Sequence, residues 1–142
     1  MDKTYGNEIS VGAVALTVAD LERSKAFYSG TLGMQVMEAS AEEAQLGVDG
    51  QVLLNLKALP GAKPARNVTG LYHFAVLLPS RPALAEVLLQ LARTSARIQG
   101  VADHGVSEAI YLADPDGNGI EIYRDLDERE WPRLPEGGLE MV

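Results

Sequence analysis

The sequence predicts an α+β fold: two βαβββ units in tandem, forming a curved, mostly antiparallel eight-stranded sheet around a cavity, with the helices outside. Three observations predict it. Strand-type segments rich in β-branched and aliphatic residues recur along the chain in two groups of four. A helix-type segment follows the first strand of each group. The chain also repeats itself: VGAVALTV at 11 and LYHFAVLL at 71 are offset by 60, and the hairpins DGQVLLNL at 49 and DGNGIEIY at 116 by 67. Two copies at so long a period mark a duplication and not a solenoid.

Unit one spans about residues 9–58. Its strands are expected at Val11–Val18, Met34–Ala39, Glu43–Val48 and Gln51–Lys57. Its helix starts at an Asp20 N-cap, runs through Leu21, Ser24, Tyr28 and Leu32, and stops at Gly33. A linker at 58–70 follows, broken by Pro60, Gly61, Pro64 and Gly70. Unit two spans 71–125, with strands at Leu71–Leu78, Arg97–Val101, Ser107–Ala113 and Gly119–Arg124. Its helix starts at Ser80, with Pro82 tolerated in the first turn. The apolar stripe Leu84, Val87, Leu88 and Leu91 has helical spacing. Seven extra residues of unit two fall near Gly100–Glu108, and a tail occupies 126–142. The whole chain, 1–142, reads as a single domain, a size that suits one core.

Side chains alternate across a strand, so each strand has a bulky face and a second face. Val14, Leu16 and Val18 oppose Ala13, Ala15 and Thr17; Phe74, Val76 and Leu78 oppose His73, Ala75 and Leu77. In the closing strands, Ile110, Leu112, Ile120 and Ile122 suit packing on a helix. Ala109, Tyr111, Ala113, Gly119, Glu121 and Tyr123 then face the cavity. His73, Tyr111 and Glu121 converge on one concave surface in this reading, which a register slip of one residue would undo. Glu121 stands in an apolar strand, GIEIY, where a carboxylate is costly unless paired or bound to a cation. The competing reading is a solvent-facing edge strand, and for His73 a structural histidine. An imidazole and a carboxylate on one face form a partial site for a divalent metal. His104 lies in the loop-like segment ADHGVSEA, and by its setting alone has no assigned task. DPDGNG is a tight turn rather than a calcium loop, which would need more oxygen ligands and flanking helices. Met34 and Met37 read as core.

Bulk properties narrow the function. The chain is 46% hydrophobic and 23% charged, which makes it globular rather than disordered. A net charge of -8 argues against nucleic-acid binding and against an anionic membrane surface. No apolar stretch is long enough to span a bilayer, and MDKTYGNEIS has no apolar signal region. With no cysteine there are no disulfides and no thiolate zinc sites, and the expected compartment is the cytoplasm.

The segment VALTVADLERSKAFYSGTLGMQV resembles the opening unit of the vicinal-oxygen-chelate superfamily, which includes glyoxalase I, bleomycin-resistance proteins, fosfomycin-resistance enzymes and extradiol dioxygenases. In the second half, His104, Ile110, Tyr111, Asp114, Pro115, Asp116, Gly117 and Glu121 stand at the spacing of the extradiol ring-cleavage signature. Ala102 departs from it. GLYHFAVLLPSR with DHGVSEAIYLADPDGNGIEIYRD is similar to two-module catechol-2,3-dioxygenase proteins of bacteria, and to their N-terminal module. The superfamily resemblance covers roughly residues 9–132. It implies that Glu121 and His73 are metal ligands, that His104 is a catalytic histidine serving the bound oxygen species, and that Tyr111 contacts the substrate hydroxylate. The implied cofactor is Fe(II), or another divalent metal such as Mn(II). The implied partners are a small catechol-like aromatic substrate and dioxygen.

A 2-His-1-carboxylate triad would leave three iron positions open for two catecholate oxygens and dioxygen. Here the internal repeat puts Ala13 opposite His73 and Leu54 opposite Glu121, and neither can ligate. The chain holds only two histidines, so a complete triad must use His104 as an unusual direct ligand or import a residue, and the iron site is expected to be incomplete. Two readings follow: an extradiol dioxygenase or its N-terminal module, working as half of a two-module chain or as a homodimer, and a metal-independent small-molecule binding module of the bleomycin-resistance type. A glyoxalase-like lyase is disfavoured, because half of the usual four ligands are absent.

Overall fold

A computed structural model of the chain describes residues 12–64 and 69–139. The expected strand start at Val11, the middle of the linker and the last three residues lie outside them. The element order is β1 (Val14–Val18), α1 (Leu21–Gly30), β2 (Gln35–Ala39), β3 (Glu43–Val48), β4 (Gln51–Ala58), β5 (His73–Leu77), α2 (Arg81–Arg93), β6 (Ile98–Asp103), β7 (Ser107–Ala113) and β8 (Gly119–Asp125). This is strand, helix, three strands, twice, as the repeat predicts. The eight strands are divided between two four-stranded sheets, ordered β1-β4-β3-β2 and β5-β8-β7-β6. Each is mixed: β1 runs parallel to β4 and β5 to β8, and the other pairs are antiparallel.

Both helices begin where their caps stand. The Asp20 side chain accepts from the Arg23 amide and the Ser80 side chain from that of Ala83, each satisfying one orphan donor of the first turn. After α1 the chain turns through Gly33 at φ 74, a backbone that glycine adopts without cost. Leu16, Val18, Leu54, Leu56, Phe74, Leu112, Ile120 and Ile122, the bulky faces of both sheets, meet Leu21, Tyr28, Leu84 and Leu91 of the helices in one core. Each buried leucine or isoleucine contributes about 1.5–3 kcal/mol relative to exposure. Met34 is buried as expected. Leu88 is not: it is 42% exposed, because α2 seats on β8 and leaves its β6 side open. No helix among the described residues is long and apolar enough to cross a membrane.

Two details correct the sequence alignment of the units. Strand register matches Ala15–Asn55 in unit one with Ala75–Glu121 in unit two, and Gln45–Asn55 with Tyr111–Glu121. The counterpart of Glu121 is therefore Asn55. Leu54 is 1% exposed in the core, where it corresponds to Ile120. The cause is a β-bulge: Leu46 pairs with Leu54 but Gly47 with Val52, so Leu53 is an extra residue that shifts the offset from 67 to 66. Secondly, the inserted residues of unit two are not all at Gly100–Glu108. Val36 and Ile98 already correspond at an offset of 62, so part of the insertion lies in the helical segment. The rest lengthens the β6–β7 connection, which carries His104.

The turn between β7 and β8 joins the units. Asp116 Oδ1 accepts from the Ala19 amide at 3.1 Å and from Arg23 Nη2 at 2.9 Å, and Ser24 Oγ donates to Oδ2 at 3.3 Å. Beneath it, the fully buried Tyr28 hydroxyl donates to Asp114 Oδ2 at 2.9 Å. Burial and the Asp114 carboxylate hold that phenol far above the usual tyrosine range.

Candidate metal and substrate site

β5, β7 and β8 place His73, Tyr111 and Glu121 on one surface. Phe74, Ile110, Leu112, Ile120 and Ile122 are all buried, so alternation turns their neighbours to the opposite face. Tyr111 stands directly opposite Glu121 in the β7–β8 pair, and His73 opposite Gly119 in the β5–β8 pair. Gly119 is required there: a Cβ would come within 2.3 Å of the Tyr72 carbonyl oxygen and 3.0 Å of His73 Cβ. This close approach brings the histidine over β8.

The four residues singled out from the sequence form one chain of contacts. His73 Nε2 is 2.9 Å from Glu121 Oε2. Tyr111 Oη donates to Glu121 Oε1 at 2.7 Å, and His104 Nε2 is 3.1 Å from Tyr111 Oη. Since the single hydroxyl hydrogen of Tyr111 is directed at Glu121, its oxygen accepts from His104, which places a hydrogen on Nε2. His104 reaches inward from a tight loop in which its amide donates to Ser107 O at 2.9 Å and Gly105, at φ 74, donates to Asp103 Oδ1. The Tyr111 phenol is pushed up to about 12, first by its hydrogen bond to Glu121 and then by burial and the charge of Glu121. It is thus a hydrogen-bond donor throughout the neutral range.

His73 and Tyr111 line a cavity of about 290 Å³ with Tyr72, Gln99, Gly100 and Gly119. The strand expected at Leu71–Leu78 begins only at His73, so alternation, which would put Tyr72 on the face of Phe74, does not govern it. The aromatic residue next to the histidine in LYHF is the signal that could have found it. A larger cavity, about 540 Å³, lies elsewhere, between α2 and β6–β7, with Leu84, Leu88, Val101 and Ile110 on its walls. At its rim Glu108 is clamped by Arg81 at 3.0 Å and Arg124 at 2.8 Å.

For a metal, the donor set is partial. Adjacent ligands of an octahedral first-row ion at about 2.0–2.2 Å stand about 2.8–3.1 Å apart, so the 2.9 Å between His73 Nε2 and Glu121 Oε2 fits two such positions. The corresponding positions of unit one are Ala13, which cannot ligate, and Asn55, a neutral amide. Among the described residues no group of three or more histidine or acidic side chains is placed to hold a metal.

The family described as Glyoxalase/Bleomycin resistance protein/Dioxygenase superfamily matches residues 10–122. The chain belongs to that superfamily. It is 48% identical over 135 residues to a catechol-2,3-dioxygenase of Bacillus subtilis (strain 168), covering 93% of this chain and 47% of the relative. It is 26% identical over 147 residues to glyoxalase domain-containing protein 4 of Rattus norvegicus, covering 99% of this chain and 49% of that one. The chain thus spans about half the length of the curated relatives it matches. Among solved structures, a glyoxalase/dioxygenase from Nostoc punctiforme superposes with a TM-score of 0.71 at 24% identity, covering 89% of this chain and 98% of that one. A lactoylglutathione lyase from Agrobacterium tumefaciens does so with a TM-score of 0.67 at 18% identity, covering 84% and 96%. These likenesses establish the fold.

Proposed function

We propose that this chain is a module of an extradiol-type ring-cleaving dioxygenase, in which His73 and Glu121 hold one divalent metal, Fe(II) by the resemblance, and Tyr111 and His104 handle the hydroxyl protons of a catechol-like substrate. The observation that supports this best is the unbroken run His73–Glu121–Tyr111–His104, with contacts of 2.9, 2.7 and 3.1 Å on one sheet face. The 48% identity to a catechol-2,3-dioxygenase supports the substrate class and the dioxygen requirement.

Fe(II), when bound, supplies coordination positions for the vicinal oxygens of the substrate and for dioxygen. The protein's own contribution is positional and protonic. Glu121 divides its two oxygens: Oε2 faces His73, and Oε1 is fixed by the Tyr111 hydroxyl. The hydrogen bond therefore sets the rotamer of the metal-facing carboxylate. With its phenol pushed up to about 12, Tyr111 stays protonated and can turn its hydroxyl to an ionised substrate oxygen. His104, behind it, donates from Nε2–H to the phenol oxygen, so the hydroxyl hydrogen of Tyr111 stays available to Glu121 or to the substrate oxygen.

Unit one offers Ala13 and Asn55, so the full iron site takes a further ligand from a second module or a second copy of the chain. In this proposal the chain works as a homodimer or as half of a two-module protein. The second reading, a metal-independent small-molecule binding module, is favoured by those same two residues.

Anaerobic Fe(II) titration decides between them. In the ring-cleavage reading, the chain binds iron weakly, and His73→Ala and Glu121→Gln each abolish that binding while leaving the fold intact. A wild-type chain that binds catechols but no divalent metal would favour the second reading. Light scattering with and without Fe(II) tests the assembly.

A further inference from the structure

We propose that Tyr72 is the aromatic wall of this site and biases it towards planar aromatic ligands. The inference rests on the site assignment above and adds a residue to it.

Tyr72 is 87% exposed, the most exposed large apolar side chain among the described residues. Nothing in its own unit covers it, yet it does not point away from the site. Its ring centroid lies 5.0 Å from that of His73, with the planes tilted by 53°, and it lines the same 290 Å³ cavity as His73 and Tyr111. The His73 ring is in turn 6.0 Å from Tyr111, edge on. Three rings thus stand in sequence, Tyr72, His73 and Tyr111, and the outer face of the first is bare.

The backbone holds Tyr72 in that position. Gly119 has no Cβ, and the Tyr72 carbonyl passes where one would stand, 2.3 Å from it. β5 is paired from His73 onward, so the residue before it is fixed to β8 on one side while its side chain stays outside the sheet. Gly100 lines the same cavity and presents no side chain there. A ring offset over Tyr72 meets a π-face, in a cavity that His73, Gln99 and Tyr111 also line with polar groups. A puckered ring of the same size gains the polar contacts but not the face.

The test is calorimetric titration of the metal-free chain with catechol and with cis-cyclohexane-1,2-diol, which carry the same vicinal oxygens on a flat and on a puckered ring. Catechol is expected to bind about 3- to 10-fold more tightly than the saturated diol, the range that an aromatic pair confers. Tyr72→Phe keeps the preference, because it keeps the face. Tyr72→Ala removes it, leaving the two diols equal. Equal binding by the wild type, no binding of either diol, or an undiminished preference in Tyr72→Ala would overturn the proposal. So would a change of association state in Tyr72→Ala with the preference retained, which would make the residue an interface anchor. Fe(II) binding, measured on the same variants, stays unchanged in Tyr72→Ala. Its loss in His73→Ala reports on the metal assignment, so failure of that assignment is read separately from failure of this one.

Discussion

Replacing Tyr28 by phenylalanine removes one oxygen from the interior and leaves the packing in place. Tyr28 is fully buried, and its hydroxyl donates to Asp114 at 2.9 Å. Asp114 also accepts from the Asp116 and Asn118 amides at 2.9 and 2.8 Å and from Asn118 Nδ2 at 2.9 Å. Hydrogen bonds to charged groups contribute about 1.5–3 kcal/mol. Three donors remain on the carboxylate in Tyr28→Phe, and no polar atom is orphaned, so the expected loss is near the lower end, about 1.5–2 kcal/mol. For a chain of this size that lowers Tm by about 4–8 °C. Asp114→Ala acts differently: it strands the Tyr28 hydroxyl and several turn donors, and should cost about 3–5 kcal/mol. Urea denaturation with both slopes and midpoints measures the two. Tyr28→Phe within 0.5 kcal/mol of wild type, or Asp114→Ala milder than Tyr28→Phe, would refute the reasoning.

Two further predictions concern pH. Hydrogen bonds from Arg81 and then Arg124 hold the Glu108 carboxyl below the usual range, against a smaller effect of burial. A lowered folded value means that its stabilisation is present above about pH 4.3 and is lost as pH falls through the folded value. The stability gap between wild type and Glu108→Gln should therefore narrow in acid, by about 1 kcal/mol or less given the exposure of Arg81; a gap that is constant from pH 6 to 3 refutes it. At the other end, Tyr111 is raised to about 12, so its stabilisation is present below about pH 10 and disappears between there and 12. Tyr111→Phe should flatten the alkaline limb of the stability profile, and should remove one late-titrating phenol from the ultraviolet pH titration.

The faces of the strands were legible because bulk separates them. Phe74, Ile120 and Ile122 could only be core, which sent His73 and Glu121 to the other side, and the 2.9 Å contact follows from that alternation. The bulge at Leu53 was not legible. QVLLNL has no glycine or proline to mark it, and the run alternates equally well with or without the extra residue. Asn55 was the available signal: a polar residue in an apolar strand, as Glu121 is in GIEIY. The division into two sheets also lay beyond the sequence, since pairing between strands distant in the chain leaves no local periodicity. Leu88 shows the same limit. Its helical spacing is ideal, but where α2 sits on its sheet decides whether it is covered.

The two units have diverged unequally, and the turn between β7 and β8 explains why unit one still matters to the site. Tyr111 lies three residues before Asp114, and Glu121 three residues after Asn118, so the two arms of one hairpin carry the 2.7 Å contact that orients the Glu121 carboxylate. The closed end of that hairpin is anchored to unit one, through Tyr28 of α1 to Asp114, and through Arg23 and Ser24 of α1 and the Ala19 amide just before it to Asp116. Unit one has Ala13, Gln45 and Asn55 where unit two has His73, Tyr111 and Glu121, so it supplies none of the ionisable groups. What it supplies is the brace. A hairpin free at its turn would twist about its strand axis, and a binding constellation needs its groups held within about 0.5 Å. The buried Tyr28–Asp114 bond therefore contributes to the site geometry from outside the site.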